Sequence, residues 1–212
     1  MMKKNILCFG DSNTWGYTPG SGVRYSPEVR WPGVMAAELG ESYRVLEDGL
    51  SGRTTAYDFP WADCRNGMTA LPYALFSQKP LDLLILALGI NDLTVVDSAL
   101  SARSAGGLIR KVRLLQAVPD SAGPIFAGDI RILVLAPAPV HPDYDRMYGT
   151  SYYQESCRLA ARYKTMAEEN GVFYLNGGDY ASASPVDCVH FPQEAHRRLG
   201  LAAAGKVREI FG

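Results

Sequence analysis

Apolar residues fall into two alternating kinds of run along this chain. Short, nearly continuous apolar runs at 5–10, 44–50, 81–89, 130–136 and 172–176 each end in turn-forming residues. That pattern belongs to parallel strands covered on both faces, where neither side meets water. Between these runs, apolar positions recur at helical spacing over 32–39, 67–78, 104–118, 151–170 and 192–211. Pro32 and Pro192 suit first-turn positions, and Gly40 and Gly171 suit C-terminal caps. Strands alternating with helices predict a doubly wound, three-layer α/β/α fold. Its five-stranded parallel sheet is expected in the flavodoxin-like order 2-1-3-4-5. No internal repeat, low-complexity tract or linker interrupts the pattern, so one domain over 1–212 is expected.

In such sheets, ligands bind outside the carboxyl ends of the strands. The segments that follow the strands therefore matter most. They are "GDSNTWGY", "GLSGRTT", "GINDL" and "PAPVHPD", joined by "DCVHFP" just before the last helix. The loops 17–30 and 54–66 are long for such connections, which suits functional or oligomer-forming loops.

Composition narrows the partners. The chain has 212 residues, 47% hydrophobic and 20% charged, an ordinary globular mix with length enough for a sizeable core. A net charge of −1 points to neither a nucleic acid nor an anionic membrane. The longest apolar run, 83–88 with Ile90 just beyond, falls far short of the roughly 20 residues of a membrane span. The start "MMKKNILCFGDS" lacks a small-residue cleavage site and reads as a first strand, not a signal peptide. Cys8, Cys64, Cys157 and Cys188 form no C-x-x-C pair and no zinc-like cluster with the three histidines. They are expected as reduced thiols of a cytoplasmic protein, without a metal.

The rim segments hold residue types that acyl transfer needs: a hydroxyl nucleophile, a base, an acid to orient it, and oxyanion donors. Among the histidines, His196 lies in "EAHRRLG" beside two arginines and is expected in solvent. His141 follows the fourth strand with only Asp143 near it in sequence. His190 has Asp187 three residues earlier, a spacing at which a turn lets the two face each other. The same spacing also serves a helix-start turn capped by Asp187, so both readings stand. Two serines compete. Ser51 nearly matches the G-x-S-x-G elbow, but Arg53 stands where its last glycine should be. Ser12 lacks that motif yet sits at a strand-to-helix junction, where its N–H can face a ligand. A local turn residue is the alternative for Ser12. Asn91 and Gly52 could supply an amide and an open N–H, or simply serve turns. Asp11 and Asp92 read as turn-stabilising carboxylates.

In combination and order, "GDSNTWG", "GLSGRTT", "GIND" and "DCVH" resemble the four blocks of the SGNH hydrolases, the GDSL esterase superfamily. With "RWPGVMAAEL" over 30–39, the chain is similar to the bacterial arylesterase and acyltransferase branch. The resemblance covers nearly the whole chain. It implies Ser12 as nucleophile, His190 as base and Asp187 as its partner. It implies an oxyanion hole of the Ser12 and Gly52 N–H groups and the Asn91 amide, and so demotes Ser51. It implies no cofactor, a small-molecule ester as partner, and self-association into a homo-oligomer. The expected function is a serine esterase for short-chain aryl or alkyl esters, with acyl transfer to alcohols possible chemistry at the same residues. The alternatives are a carbohydrate O-acetyl esterase and a non-catalytic ligand-binding module. Trp15, Tyr17, Trp31, Phe59 and Trp61 are the expected substrate-pocket aromatics. One departure is visible: Asn13 replaces the leucine of the commoner G-D-S-L block.

Overall fold

The computed structural model describes residues 3–212; Met1 and Met2, the start of the expected domain, lie outside the described residues. The strands are β1 (Lys4–Gly10), β2 (Tyr43–Gly49), β3 (Leu83–Ala87), β4 (Ile132–Ala136) and β5 (Phe173–Asn176). They pair in parallel throughout, in the expected order β2-β1-β3-β4-β5. The helices are α1 (Ser12–Trp15), α2 (Trp31–Leu39), α3 (Gly67–Gln78), α4 (Ser98–Ala117), α5 (Tyr144–Tyr148), α6 (Tyr152–Glu169) and α7 (Gln193–Phe211).

Alternation along the strands assigns each side chain to one of two cores. Ile6, Cys8, Leu83, Ile85, Leu133 and Leu135 pack with Met35, Leu199, Ala203 and Val207 of α2 and α7. Leu7, Phe9, Leu84, Leu86, Ile132 and Val134 face Leu71, Leu75, Leu108, Ile109, Leu159 and Met166 of α3, α4 and α6. Both faces are covered, which is why the strands read as continuous apolar runs.

The structure moves several boundaries. β3 is shorter than 81–89: Leu81 bridges to Phe126 instead, and the chain leaves the ladder after Ala87. Helix α4 begins at Ser98, not 104, because the Asp97 carboxylate accepts from the Ala99 and Leu100 N–H groups. Its first turns carry serines and alanines, so apolar periodicity does not mark them. Pro192 is the N-cap of α7 rather than a first-turn residue, whereas Pro32 does sit in the first turn of α2. The four-residue α1 and five-residue α5 are too short for periodicity to register. Among the described residues, no helix is long and apolar enough to cross a membrane.

The sheet places the rim. Gly10 stands opposite both Gly49 and Ala87, so three strands end level. Close packing there demands glycine: a Cβ on Gly49 would lie 2.1 Å from the backbone nitrogen of Trp15. The α1 turn thus lies directly against the end of β2. Gly49→Ala is expected to destabilise by about 1–3 kcal/mol or more, because backbone must shift. Gly205→Ala is expected to do the reverse. It sits in α7 with nothing within 4 Å of an added Cβ, so the helix should gain about 0.5–1 kcal/mol. Urea unfolding of the two variants checks both signs.

Candidate active site

Ser12 opens α1 two residues past the end of β1. Asp11 is the N-cap; its carboxylate accepts from the Asn13 N–H at 2.9 Å, and its carbonyl accepts from Thr14 and Trp15. Gly16, at φ 90°, ends the turn in the left-handed region. Among the described residues, the Ser12 N–H has no protein acceptor. Burial holds the Asp11 carboxyl up at about 7, against the lowering Asn13 N–H and the charge of Arg53.

The last rim segment meets this turn. His190 Nε2 lies 3.0 Å from Ser12 Oγ, and His190 Nδ1 lies 2.9 Å from Asp187 Oδ2. Asp187 Oδ1 also accepts from the Val189 and His190 N–H groups at 3.1 and 3.0 Å, and Oδ2 from the Gly20 N–H at 3.0 Å. Both readings of the D-x-x-H spacing therefore hold at once: Asp187 caps the turn and faces the ring. Burial pushes the Asp187 carboxyl up, but the His190 backbone and ring N–H groups, with Val189 and Gly20, outweigh it and leave the pKa lowered. An ionised Asp187 can only accept, so Nδ1 carries the proton and Nε2 is free to accept from the Ser12 hydroxyl. Burial lowers the His190 pKa, the Asp187 bond and charge raise it, and burial wins. The ring is neutral at neutral pH. The Tyr17 ring stacks on it, with centroids 4.0 Å apart and planes at 23°.

Gly52 and Asn91 emerge on the same rim. Gly52 adopts φ 76°, and its N–H finds no protein acceptor among the described residues. Asn91 donates one N–H to the Arg53 carbonyl at 3.0 Å. Arg53, which spoils the elbow motif, has a structural task. Its guanidinium donates to the carbonyls of Gly10 and Asp48 and to the Asp48 carboxylate, and it lies 4.1 Å over the Phe9 ring. Asp92 does more than stabilise a turn. Buried, it accepts from the Thr55 N–H and hydroxyl and from Ser101, tying the β2 loop to α4. Burial raises its pKa to about 6 despite those bonds.

The other candidates lie elsewhere. Ser51 meets no imidazole among the described residues. His141 Nδ1 accepts from the Asp143 N–H in its own turn. His196 corrects the expectation of solvent exposure: it is fully buried, its Nδ1 accepting from the Trp31 N–H at 3.3 Å. Neighbouring helix residues point about 100° apart, so Arg197 and Arg198 face water while His196 faces the core. Burial first, then the charges of His190 and Arg30, lower its pKa to about 4. Trp31 is likewise a core residue, 1% exposed, and it lines a small cavity of about 30 Å³ with Asn13, Thr14 and Phe191 behind the Ser12 turn. Trp15 is half-buried under Arg24. Phe59 and Trp61 stack on each other at 5.4 Å on the long loop, with Trp61 75% exposed. Sequence reasoning missed a small cavity of about 50 Å³ beside Asn91 and Val189, lined by Ile90, Leu93, Val140, Tyr144 and Tyr152. Its walls come from loops and helix starts with no shared period. Among the described residues, no group of three His, Cys, Asp or Glu side chains is placed to hold a metal ion.

Residues 8–198 match the GDSL-like Lipase/Acylhydrolase family. The chain belongs to this family. Est24, a carbohydrate acetylesterase from Sinorhizobium meliloti, is 38% identical and superposes with a TM-score of 0.89, covering 99% of this chain and 100% of its own. The native aryl esterase of M. smegmatis is 34% identical with a TM-score of 0.88, covering 97% and 99%. A lipolytic G-D-S-L family member from Veillonella parvula DSM 2008, 17% identical with a TM-score of 0.64 over 96% and 97%, shares the fold. No curated protein matches the chain. The protein is an SGNH-fold carboxylic ester hydrolase.

Histidine ring titration by NMR should place the His190 midpoint below 6.5 and that of His196 near 4. In Asp187→Asn, the His190 midpoint should fall further, since the lost carboxylate is what raises it. A His190 midpoint above 6.5 in the native protein would contradict the dominance of burial.

Proposed function

We propose that this GDSL hydrolase cleaves small acyl esters through an acyl-Ser12 intermediate. The observation that carries the reading is the continuous pair of contacts, Ser12 Oγ to His190 Nε2 at 3.0 Å and His190 Nδ1 to Asp187 at 2.9 Å. As Ser12 Oγ bonds to the carbonyl carbon, its proton passes to His190 Nε2 and Asp187 stabilises the imidazolium. The carbonyl oxygen becomes an oxyanion. It receives hydrogen bonds from the Ser12 and Gly52 N–H groups and from the second N–H of Asn91, the first being held by Arg53. His190 then protonates the departing alcohol. Water, losing a proton to the same nitrogen, attacks the acyl-serine and releases the acid. Each step uses groups of this chain and water.

The cavity of about 50 Å³ beside Asn91 favours a short acyl group such as acetyl. The Tyr17 ring stacked on His190 gives the site an aromatic face, which fits an aryl ester. The similarity to a carbohydrate acetylesterase supports a second reading, with an acetylated sugar as the ester. The Tyr17 ring beside His190 adds an apolar surface at the acyl-Ser12 position, which favours transfer to an added alcohol in competition with water. Exposed Trp61 and Tyr73 suit self-association, and the four free thiols suit the reducing cytoplasm.

A fluorophosphonate probe should add one label to the native protein by intact mass and none to Ser12→Ala; labelling that persists in the variant sinks the nucleophile assignment. Asn91→Ala should lower kcat on p-nitrophenyl acetate on the order of a hundredfold or more. Activity should fall on acidification through a midpoint below pH 6.5, because only neutral His190 accepts the proton. Acetate release from p-nitrophenyl acetate against acetylated xylose, each beside its octanoyl counterpart, separates the two alcohol classes and tests the acyl limit.

A further inference from the structure

The family pattern leaves Asn13 unexplained, and the structure gives it a distinctive set of partners. Its side chain is nine-tenths buried and reaches the segment on either side of His190. Asn13 Oδ1 accepts from the Phe191 N–H at 3.0 Å, and Asn13 Nδ2 donates to the Val189 carbonyl at a longer 3.4 Å. One planar side-chain amide thus bonds the backbone on both sides of His190, at the Val189 carbonyl and the Phe191 N–H.

The remaining backbone groups around His190 are also held. Its N–H and that of Val189 donate to Asp187 Oδ1, and its carbonyl accepts from the Ser184 N–H at 2.8 Å. The Asn13 grip differs from these in one respect: the others originate within residues 184–190, whereas Asn13 is joined directly to Ser12. Both ends of the Ser12–His190 contact are therefore fixed from one four-residue turn, itself pinned by the Asp11 cap and Gly16. Asparagine suits the task because it offers an acceptor and a donor on one planar group. Leucine of the same size offers neither, and aspartate lacks the donor.

We propose that Asn13 is a positioning residue. By bonding the backbone on both sides of His190, it sets the distance and angle at which the imidazole meets the Ser12 hydroxyl. This rests on the reading of Ser12 as nucleophile and His190 as its base. Proton transfer and attack share a narrow geometric window, and a misplacement of about 1 Å can cost on the order of a hundredfold in rate.

Asn13→Leu keeps the volume and removes both bonds, and Asn13→Ala clears the space should leucine prevent folding. Steady-state kinetics on p-nitrophenyl acetate, the rate of fluorophosphonate labelling and thermal unfolding would be measured for each. The expected result is a kcat lower by roughly ten- to a hundredfold with KM within about twofold. The labelling rate should fall in parallel, in protein whose unfolding is cooperative. A purely structural role would lower the melting temperature and leave kcat per folded molecule unchanged. A folded variant with kcat and labelling within twofold of the native protein, or a loss confined to KM, overturns the assignment. If native Ser12 fails to label at all, the nucleophile reading and this proposal fall together; if it labels and the variants label as fast, Asn13 alone is refuted.

Discussion

Strands β1, β2 and β3 end level, with Gly10 opposite Gly49 and Ala87, and the rim chemistry is built on that edge. At that edge the Gly10 carbonyl accepts from the Leu50 N–H and also from Arg53. With the same guanidinium, Arg53 donates to the Asp48 carbonyl and is braced on the Phe9 ring. Its own carbonyl then holds Asn91 from the third strand's loop. One residue thus joins the ends of three strands. A glycine there would complete the elbow motif and remove the brace.

The same economy governs charge. Asp187 is surrounded by four N–H donors and stays ionised despite burial. Asp92 and Asp11 are buried more deeply, and there burial outweighs the donors and pushes them to about 6 and about 7. Carboxylates on one rim therefore differ in proton affinity because burial and donors balance differently at each. His190 stands between these cases. Its carboxylate partner favours the charged ring, burial opposes it, and the balance falls on the neutral form.

Strand number, sheet order and the residues that meet at the rim were legible because each has a local signature. Continuous apolar runs mark two-sided strands, and the four blocks keep their order. What stayed hidden depends on distant partners or on face. His196 reads as solvated beside two arginines, yet a helix turns neighbours about 100° apart and places it in the core. Trp31 reads as a pocket wall, but its position at the start of α2 points it into the apolar cluster. The start of α4 is marked by a single cap, Asp97, without apolar periodicity behind it. Asn13 was opaque because its partners lie at Val189 and Phe191, and no local pattern announces a bond across such a gap.

The hydroxyl and the imidazole that meet at 3.0 Å are 178 residues apart in sequence. The end of β1 carries Ser12 to the rim, and the segment between β5 and α7 carries His190. Contacts between residues so far apart bear the loop-closure entropy of the chain between them and form slowly. The Ser12–His190 contact therefore exists only once the sheet between them is assembled, and it reports on the integrity of the whole fold.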